Sequence, residues 1–92
     1  MIPENLRKSE MINAQKKMLR LKAEEKKKVA HEKFKTGDLK GAKLDLLDAR
    51  QLIQEALKKV RTLGERGIGE RTIQDDIEML WRKILSQEKK AS

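Results

Sequence analysis

A regular spacing of apolar residues between positions 39 and 63 is the strongest constraint on the fold of this chain. Apolar side chains recur there at alternating intervals of three and four: Leu39, Ala42, Leu46, Ala49, Ile53, Ala56, Val60 and Leu63. A period of about 3.5 residues is the pattern of a helix packed lengthwise against other helices. The segment therefore predicts a long helix in an all-α protein.

The composition favours the same fold class and excludes several kinds of protein. There is one proline, and Phe34 and Trp81 are the only aromatic residues, which is typical of helices rather than strands. Cysteine is absent, so disulfides and thiolate metal sites are excluded. No apolar run approaches the roughly 18 residues of a membrane span, and the N-terminus lacks the apolar core of a signal peptide. The sequence predicts one soluble, cytoplasmic domain.

Two amphipathic segments flank the central helix and complete the predicted fold. The first helix is predicted from near Ser9, or from Asn5, to about residue 35; the second covers about 38–63 and the third about 70–87. The polar tail 88–92 is predicted to be flexible. These elements predict an antiparallel three-helix bundle with a long basic N-terminal helix and with the second helix at its centre.

Glycines mark both turns of the predicted bundle. Gly37 can adopt the positive φ of a helix C-cap, and Asp38 can accept hydrogen bonds from the first free N–H groups of the second helix. Gly64 and Gly67 fall in the second turn, and Gly69 is expected to cap the third helix.

The first helix carries two adjoining apolar strips. One contains Met11, Ala14, Met18, Leu21 and Val29, and the other contains Ile12, Leu19, Ala23, Ala30 and Phe34. The bundle is expected to need this apolar surface, so a role for the helix on anionic membranes is only a third hypothesis. Residues 24–28 contain no apolar anchor and are expected to bow outwards or fray.

Leu44 and Leu47 lie opposite the 39–63 seam on a helical wheel. We expect them to contact another helix, because a central helix packs on more than one side. The alternative is an exposed patch that binds a partner.

The positive charge of the chain is concentrated in its first third. The net charge is +8, and residues 1–35 contain eleven basic and five acidic residues, whereas residues 65–92 contain six of each. Such a surface favours polyanions. The residues predicted to contact phosphates along the first helix are Lys16, Lys17, Arg20, Lys27, Lys28 and Lys35.

Residues 67–80 resemble the turn and recognition helix of bacterial helix-turn-helix regulators. In that family the turn is followed by polar side chains at the start of the helix, here Arg71, Thr72 and Gln74. The resemblance implies that Arg71 and Gln74 contact bases in the major groove of DNA.

Residues 30–49 resemble a single tetratricopeptide hairpin, with a Gly-Asp turn followed by the small residues Ala42 and Ala49. Three-helix domains of the microtubule-interacting-and-trafficking type have a similar hairpin. This second resemblance implies a module that binds other proteins.

The sequence contains no recognisable catalytic, metal or nucleotide motif. His31 is the only histidine, which is too little for a zinc site without cysteine. Asp45 and Asp48 are expected to be solvated or neutralised by nearby lysines. We therefore expect no enzyme, no metal, no cofactor and no small-molecule substrate.

Two hypotheses for function follow. The first is a nucleic-acid-binding protein that acts mainly through phosphate contacts; with six such contacts, affinity falls about a thousandfold between about 50 and 200 mM salt. The alternative is a protein-interaction or assembly module that uses Leu44 and Leu47 to bind a partner helix or a second copy.

Overall fold

A computed structural model describes residues 4–91, and these form three helices joined by two short turns. Helix α1 is Glu4–Thr36, helix α2 is Leu39–Leu63 and helix α3 is Ile68–Ala91. No strand occurs within this range. The predicted all-α, three-helix architecture is confirmed. None of the three helices has an apolar stretch sufficient to cross a bilayer.

The first turn has the geometry predicted from its sequence. Gly37 has a φ of 90°, and the amides of Gly37 and Asp38 donate to the carbonyls of Phe34 and Lys33. This pattern ends α1 as a Schellman motif. The Asp38 side chain then accepts a hydrogen bond from the amide of Gly41, so Asp38 is the N-cap of α2.

The second turn uses two glycines with positive φ. Gly64 has a φ of 71° at the C-cap of α2, where the amide of Glu65 donates to the carbonyl of Val60. Gly67, with a φ of 67°, immediately precedes α3. The predicted cap at Gly69 is wrong: that residue lies in the first turn of α3, because the chain is already redirected at Gly67.

The order of the ion pairs shows how the helices run. They link α1 to α2 through Lys33–Asp45 and Lys26–Asp48, and α2 to α3 through Lys43–Glu88 and Arg50–Glu78. In each set one residue number rises as the other falls, so α2 is antiparallel to both neighbours. Helix α2 contacts both, whereas α1 and α3 touch each other little, which confirms the central position of α2.

The two interfaces of α2 are built from side chains of different size. Ala23 and Ala30 of α1 are fully buried, as are three alanines of α2. Small side chains at a helix contact allow the axes to approach closely. Helix α3 contributes larger buried residues instead: Ile73, Ile77, Leu80 and Ile84. The core is thus an alanine-rich α1–α2 interface with an aliphatic α3 added to it.

Only one of the two apolar strips of α1 is used by the bundle. Leu19, Ala23, Ala30 and Phe34 belong to the core cluster. The strip containing Met11, Met18 and Leu21 is exposed, so the expectation that the bundle needs it is wrong. The alanine-containing strip is the one that fits the alanines of α2.

The ends of the helices extend beyond their predicted limits. Helix α1 begins at Glu4, one residue before the alternative start at Asn5 and well before Ser9, because no glycine or proline interrupts good helix formers from there onwards. Helix α3 continues to Ala91 rather than ending near residue 87, and Glu88 lies 2.9 Å from Lys43. The flexibility of residues 88–92 stays a prediction. Ser92 lies outside the described residues.

The expected weak point at residues 24–28 is regular helix. Two of its lysines are anchored by carboxylates on the other helices: Lys26 lies 3.7 Å from Asp48, and Lys27 lies 3.2 Å from Asp76. Ion pairs therefore hold the segment in place of apolar contacts.

Candidate interaction surfaces

Half of the predicted phosphate-binding residues on α1 are paired with acids of the same molecule. Their partners lie in the second turn and in α3: Lys16–Glu65 at 2.8 Å, Lys27–Asp76 at 3.2 Å and Arg20–Glu70 at 3.9 Å. Arg20 also lies 3.8 Å from Glu24. These contacts reduce the positive charge that the first helix presents to a ligand.

Lys17, Lys28 and Lys35 form the remaining half of the stripe. All three are exposed, and the structure between residues 4 and 91 shows no ion pair for any of them. Intervals of eleven and seven residues correspond to about three and two helical turns. The three ammonium groups therefore lie in one line along α1, which we call the lysine line.

The two residues predicted to contact DNA bases lie at the edge of the α2–α3 interface. Arg71 is exposed, Gln74 is half-buried, and both border a shallow depression that includes Leu57 and Arg61 of α2. Thr72 donates its hydroxyl to the carbonyl of Ile68 within the helix. Helices α2 and α3 run antiparallel, whereas those of a helix-turn-helix motif cross at about 90–120°.

Leu44 and Leu47 are exposed on the outer face of α2, with 58% and 45% of their surface accessible. The expectation that they contact another helix is wrong. Helices α1 and α3 both pack near the seam of α2, so its opposite side has no neighbour among residues 4–91. The exposure expected in the alternative prediction is confirmed, and the binding of a partner to this patch stays a prediction.

A carboxylate lies close to the α1–α2 core. Asp45 is only 9% exposed; its carboxylate lies 2.7 Å from Lys33 Nζ and 4.0 Å from Lys26 Nζ. Asp48 shares Lys26, so the expected neutralisation of both aspartates by lysines is confirmed. Hydrogen bonding to Asp45 raises the pKa of Lys33 above its ordinary value, against partial desolvation, and the charges of Asp45 and Asp38 add to the increase.

The Lys33–Asp45 pair predicts a loss of stability at alkaline pH. The pKa of Lys33 is higher in the folded chain than its ordinary value of 10.5, so its contribution is complete below that value and is lost as pH rises through the folded-state pKa. We expect Lys33→Met to destabilise the chain near neutral pH, and the gap from wild type to narrow above pH 10.5. Urea unfolding of both proteins near neutral pH and above pH 10.5 measures this gap in the free energy of unfolding.

The control for this experiment is Lys28→Met, which removes an exposed lysine with no ion pair shown. Its difference from wild type should be small at both pH values. A Lys33→Met effect that stays constant across this pH range would contradict an ionic origin and indicate lost packing of the lysine stem.

Trp81 is covered by cations from α2. The Arg50 guanidinium lies 4.9 Å from the ring centroid and Lys43 Nζ lies 5.8 Å from it. Arg50 also donates two hydrogen bonds to Glu78, of 2.9 and 3.1 Å. The indole is therefore engaged in the α2–α3 contact and does not form an open platform for stacking a nucleic-acid base.

An open groove of about 480 Å³ separates α1 from α3. Met79 and Leu80 contribute apolar surface, while Lys28, His31 and Lys83 lie along its sides. The Lys27–Asp76 ion pair crosses from one helix to the other within this groove. Between residues 4 and 91, no cluster of three or more His, Asp or Glu side chains could hold a metal ion.

A comparison of the chain with known protein families, with curated proteins and with solved structures finds no match. The resemblances of residues 67–80 and 30–49 therefore stay predictions. The class that the fold defines is a small helical bundle, and its candidate functional features are exposed surfaces, namely the outer face of α2 and the lysine line.

Proposed function

We propose that this chain is a non-catalytic protein-interaction module that binds an amphipathic helix of a partner protein on the outer face of α2. The observation that carries the proposal is the exposure of Leu44 and Leu47. Both are large apolar residues that are exposed on the side of α2 opposite its buried seam. A helix partner buries such a pair through residues at i, i+3 or i+4, and i+7.

The charge around this pair indicates the kind of partner. Lys40 and Lys58 are exposed and lie on the same face as the two leucines, together with Gln51 and Gln54. Asp48, at the border of this face, is already paired with Lys26. Glu55 is exposed at the same border, eleven residues after Leu44, so the acidic charge lies to one side of the leucine pair and the basic charge, at Lys40 and Lys58, lies in line with it. A helix that has leucines along one stripe and glutamates placed against these two lysines complements this arrangement.

Two synthetic helical peptides test this function. One has leucines at i, i+3 and i+7 flanked by glutamates, and the other has lysines in place of the glutamates. We expect titration calorimetry to give a Kd in the range of about 1 to 100 μM for the acidic peptide and much weaker binding for the basic one. Replacing Leu44 and Leu47 together by aspartate should raise the Kd for the acidic peptide at least about tenfold, since both anchors are lost.

The matched control is Met79→Asp together with Leu85→Asp, which makes the same kind of change at two exposed positions of α3. This variant should bind the acidic peptide as wild type does. Equal loss in both double variants, or equal binding of the two peptides, would contradict the proposal. Unchanged far-ultraviolet circular dichroism verifies that the leucine variant stays folded.

A second candidate function is binding of nucleic-acid phosphates, which the lysine line favours. Three phosphate contacts instead of six reduce the expected salt dependence. By counterion release, affinity should fall about 40-fold between about 50 and 200 mM salt. Trp81 is already covered by Arg50, so this binding is expected to be electrostatic and to discriminate little between sequences.

Charge reversal tests the lysine line directly. Replacing Lys17, Lys28 and Lys35 by glutamate should abolish the retardation of duplex DNA in a gel shift at low salt. The control replaces Lys40, Lys58 and Lys90, which are also exposed, and therefore has the same net charge. If the control variant loses DNA binding to the same extent, the DNA responds to the net charge of the chain and not to the lysine line.

A further inference from the structure

We propose that the outward face of α1 binds the surface of an anionic lipid bilayer. Met11, Met18 and Leu21 are exposed there by 64%, 59% and 66%. With Ala14 they recur at intervals of three, four and three, so they form one strip, which we call the methionine strip. Glu10 and Glu25 limit the strip at its ends.

The bundle does not compete for the methionine strip. Helix α1 packs through Leu19, Ala23, Ala30 and Phe34, and these residues lie on the other side of the same helix. The helix can therefore keep its contacts with α2 while its outward side inserts into a membrane interface. Insertion would use this exposed side alone, and its methionine and leucine side chains would supply the buried apolar area on which interfacial binding depends.

Lysines flank the methionine strip on both sides. Lys17 lies along one border and Lys22 along the other, both are exposed, and the described part of the chain shows no ion pair for either. Lysine side chains beside an apolar strip can extend their ammonium groups to lipid phosphates while their methylene stems cover apolar surface. Arg7, exposed and in line with the strip, adds a third basic residue, so that against Glu10 and Glu25 the face has one net positive charge. This sign favours anionic headgroups over neutral ones.

The same flanks disfavour a second copy of the chain as the occupant. In a parallel pair of α1 helices, the methionine strip supplies the a and d positions of the heptad. Lys17 is then a g residue and faces Lys22, an e residue of the other copy. Like charges at these positions oppose pairing. The strip is also convex and only about 15 Å long. Such a short strip suits insertion into a lipid surface better than lengthwise packing against a helix of a second copy.

Vesicle flotation tests the proposal. We expect the chain to float with vesicles of phosphatidylserine and phosphatidylcholine in equal amounts and to stay behind with vesicles of phosphatidylcholine alone. Met18→Asp should reduce the bound fraction about tenfold or more, because it places a carboxylate in the inserted strip. Exchanging Lys17 and Lys22 for glutamine should also reduce binding, and added salt should weaken the wild type.

The matched control is Met79→Asp, since Met79 is a methionine of α3 with 57% exposure, close to the 59% of Met18. It changes the net charge equally and should float as wild type does. No flotation of the wild type, or equal loss in the two aspartate variants, would overturn the proposal. So would sedimentation equilibrium showing a wild-type dimer that Met18→Asp dissociates, because the strip would then bind a second copy.

This inference is independent of the function proposed for α2. The variant with Leu44 and Leu47 replaced by aspartate should float with anionic vesicles as well as the wild type does, although its binding of the acidic peptide is lost. Failure of one experiment therefore leaves the other proposal standing.

Discussion

Replacing Leu46 by alanine is expected to lower the free energy of unfolding by about 2–5 kcal/mol. Leu46 has no accessible surface and is one of the largest fully buried side chains of the core cluster. Truncation removes buried methyl groups and leaves a cavity that the flanking helices can only partly fill. A domain of this size is commonly stable by only about 5–15 kcal/mol, so this one change removes a large share of its stability.

Leu44→Ala is the matched comparison, two positions away on the same helix. Because Leu44 is 58% exposed, the expected change is within about 0.5 kcal/mol. Urea unfolding followed by circular dichroism measures both variants. Similar losses for the two would show that Leu44 is buried in solution. That result would also remove the basis for proposing the outer face of α2 as a binding surface.

The seam of α2 and the first turn are the features that could be read directly from the sequence. The 3.5-residue period reports burial on one side of a helix whichever neighbours bury it. Gly37 and Asp38 act within a few residues of the chain, so their geometry depends on local chemistry alone. Such features can be predicted because no distant residue has to be known.

The exposed side of α1 could not be read in the same way. Both of its strips are apolar, and the choice between them depends on Ala42, Ala49 and Ala56 of the facing helix. Small residues match small residues, and this allows a close approach. Judged by the hydrophobicity of α1 alone, the strip with methionine and leucine would be expected to be buried and the strip with alanine to be exposed. The interface buries the alanines instead.

The charge pattern also depends on distant residues. Residues 65–92 are neutral in total, yet Glu65, Glu70 and Asp76 from this part of the chain face basic residues of α1. The pair Lys16–Glu65 spans 49 positions. The sum over each third of the sequence therefore overstated the positive charge of the first helix and gave no indication of which lysines remain unpaired.

Gly67→Ala is expected to lower the free energy of unfolding by about 2–4 kcal/mol, more than the same change at Gly64. Both glycines have left-handed backbones, with φ of 67° and 71°, and an alanine there costs about 1–2 kcal/mol. The surroundings differ. A Cβ at Gly67 would lie 2.7 Å from Val60 Cγ1, whereas one at Gly64 would have nothing within 4 Å.

The comparison isolates the steric contact from the backbone strain. Reduced freedom of the unfolded chain affects both alanine variants alike, so the difference between them reports the close approach of the second turn to Val60. Overpacking of this kind costs about 1–3 kcal/mol. Adding Val60→Ala to Gly67→Ala should recover part of that loss, with a coupling energy of at least about 0.5 kcal/mol in urea unfolding. If the changes in the free energy of unfolding were strictly additive, Val60 and the second turn would not be in contact. The start of α3 at Gly67 would then not pack against α2.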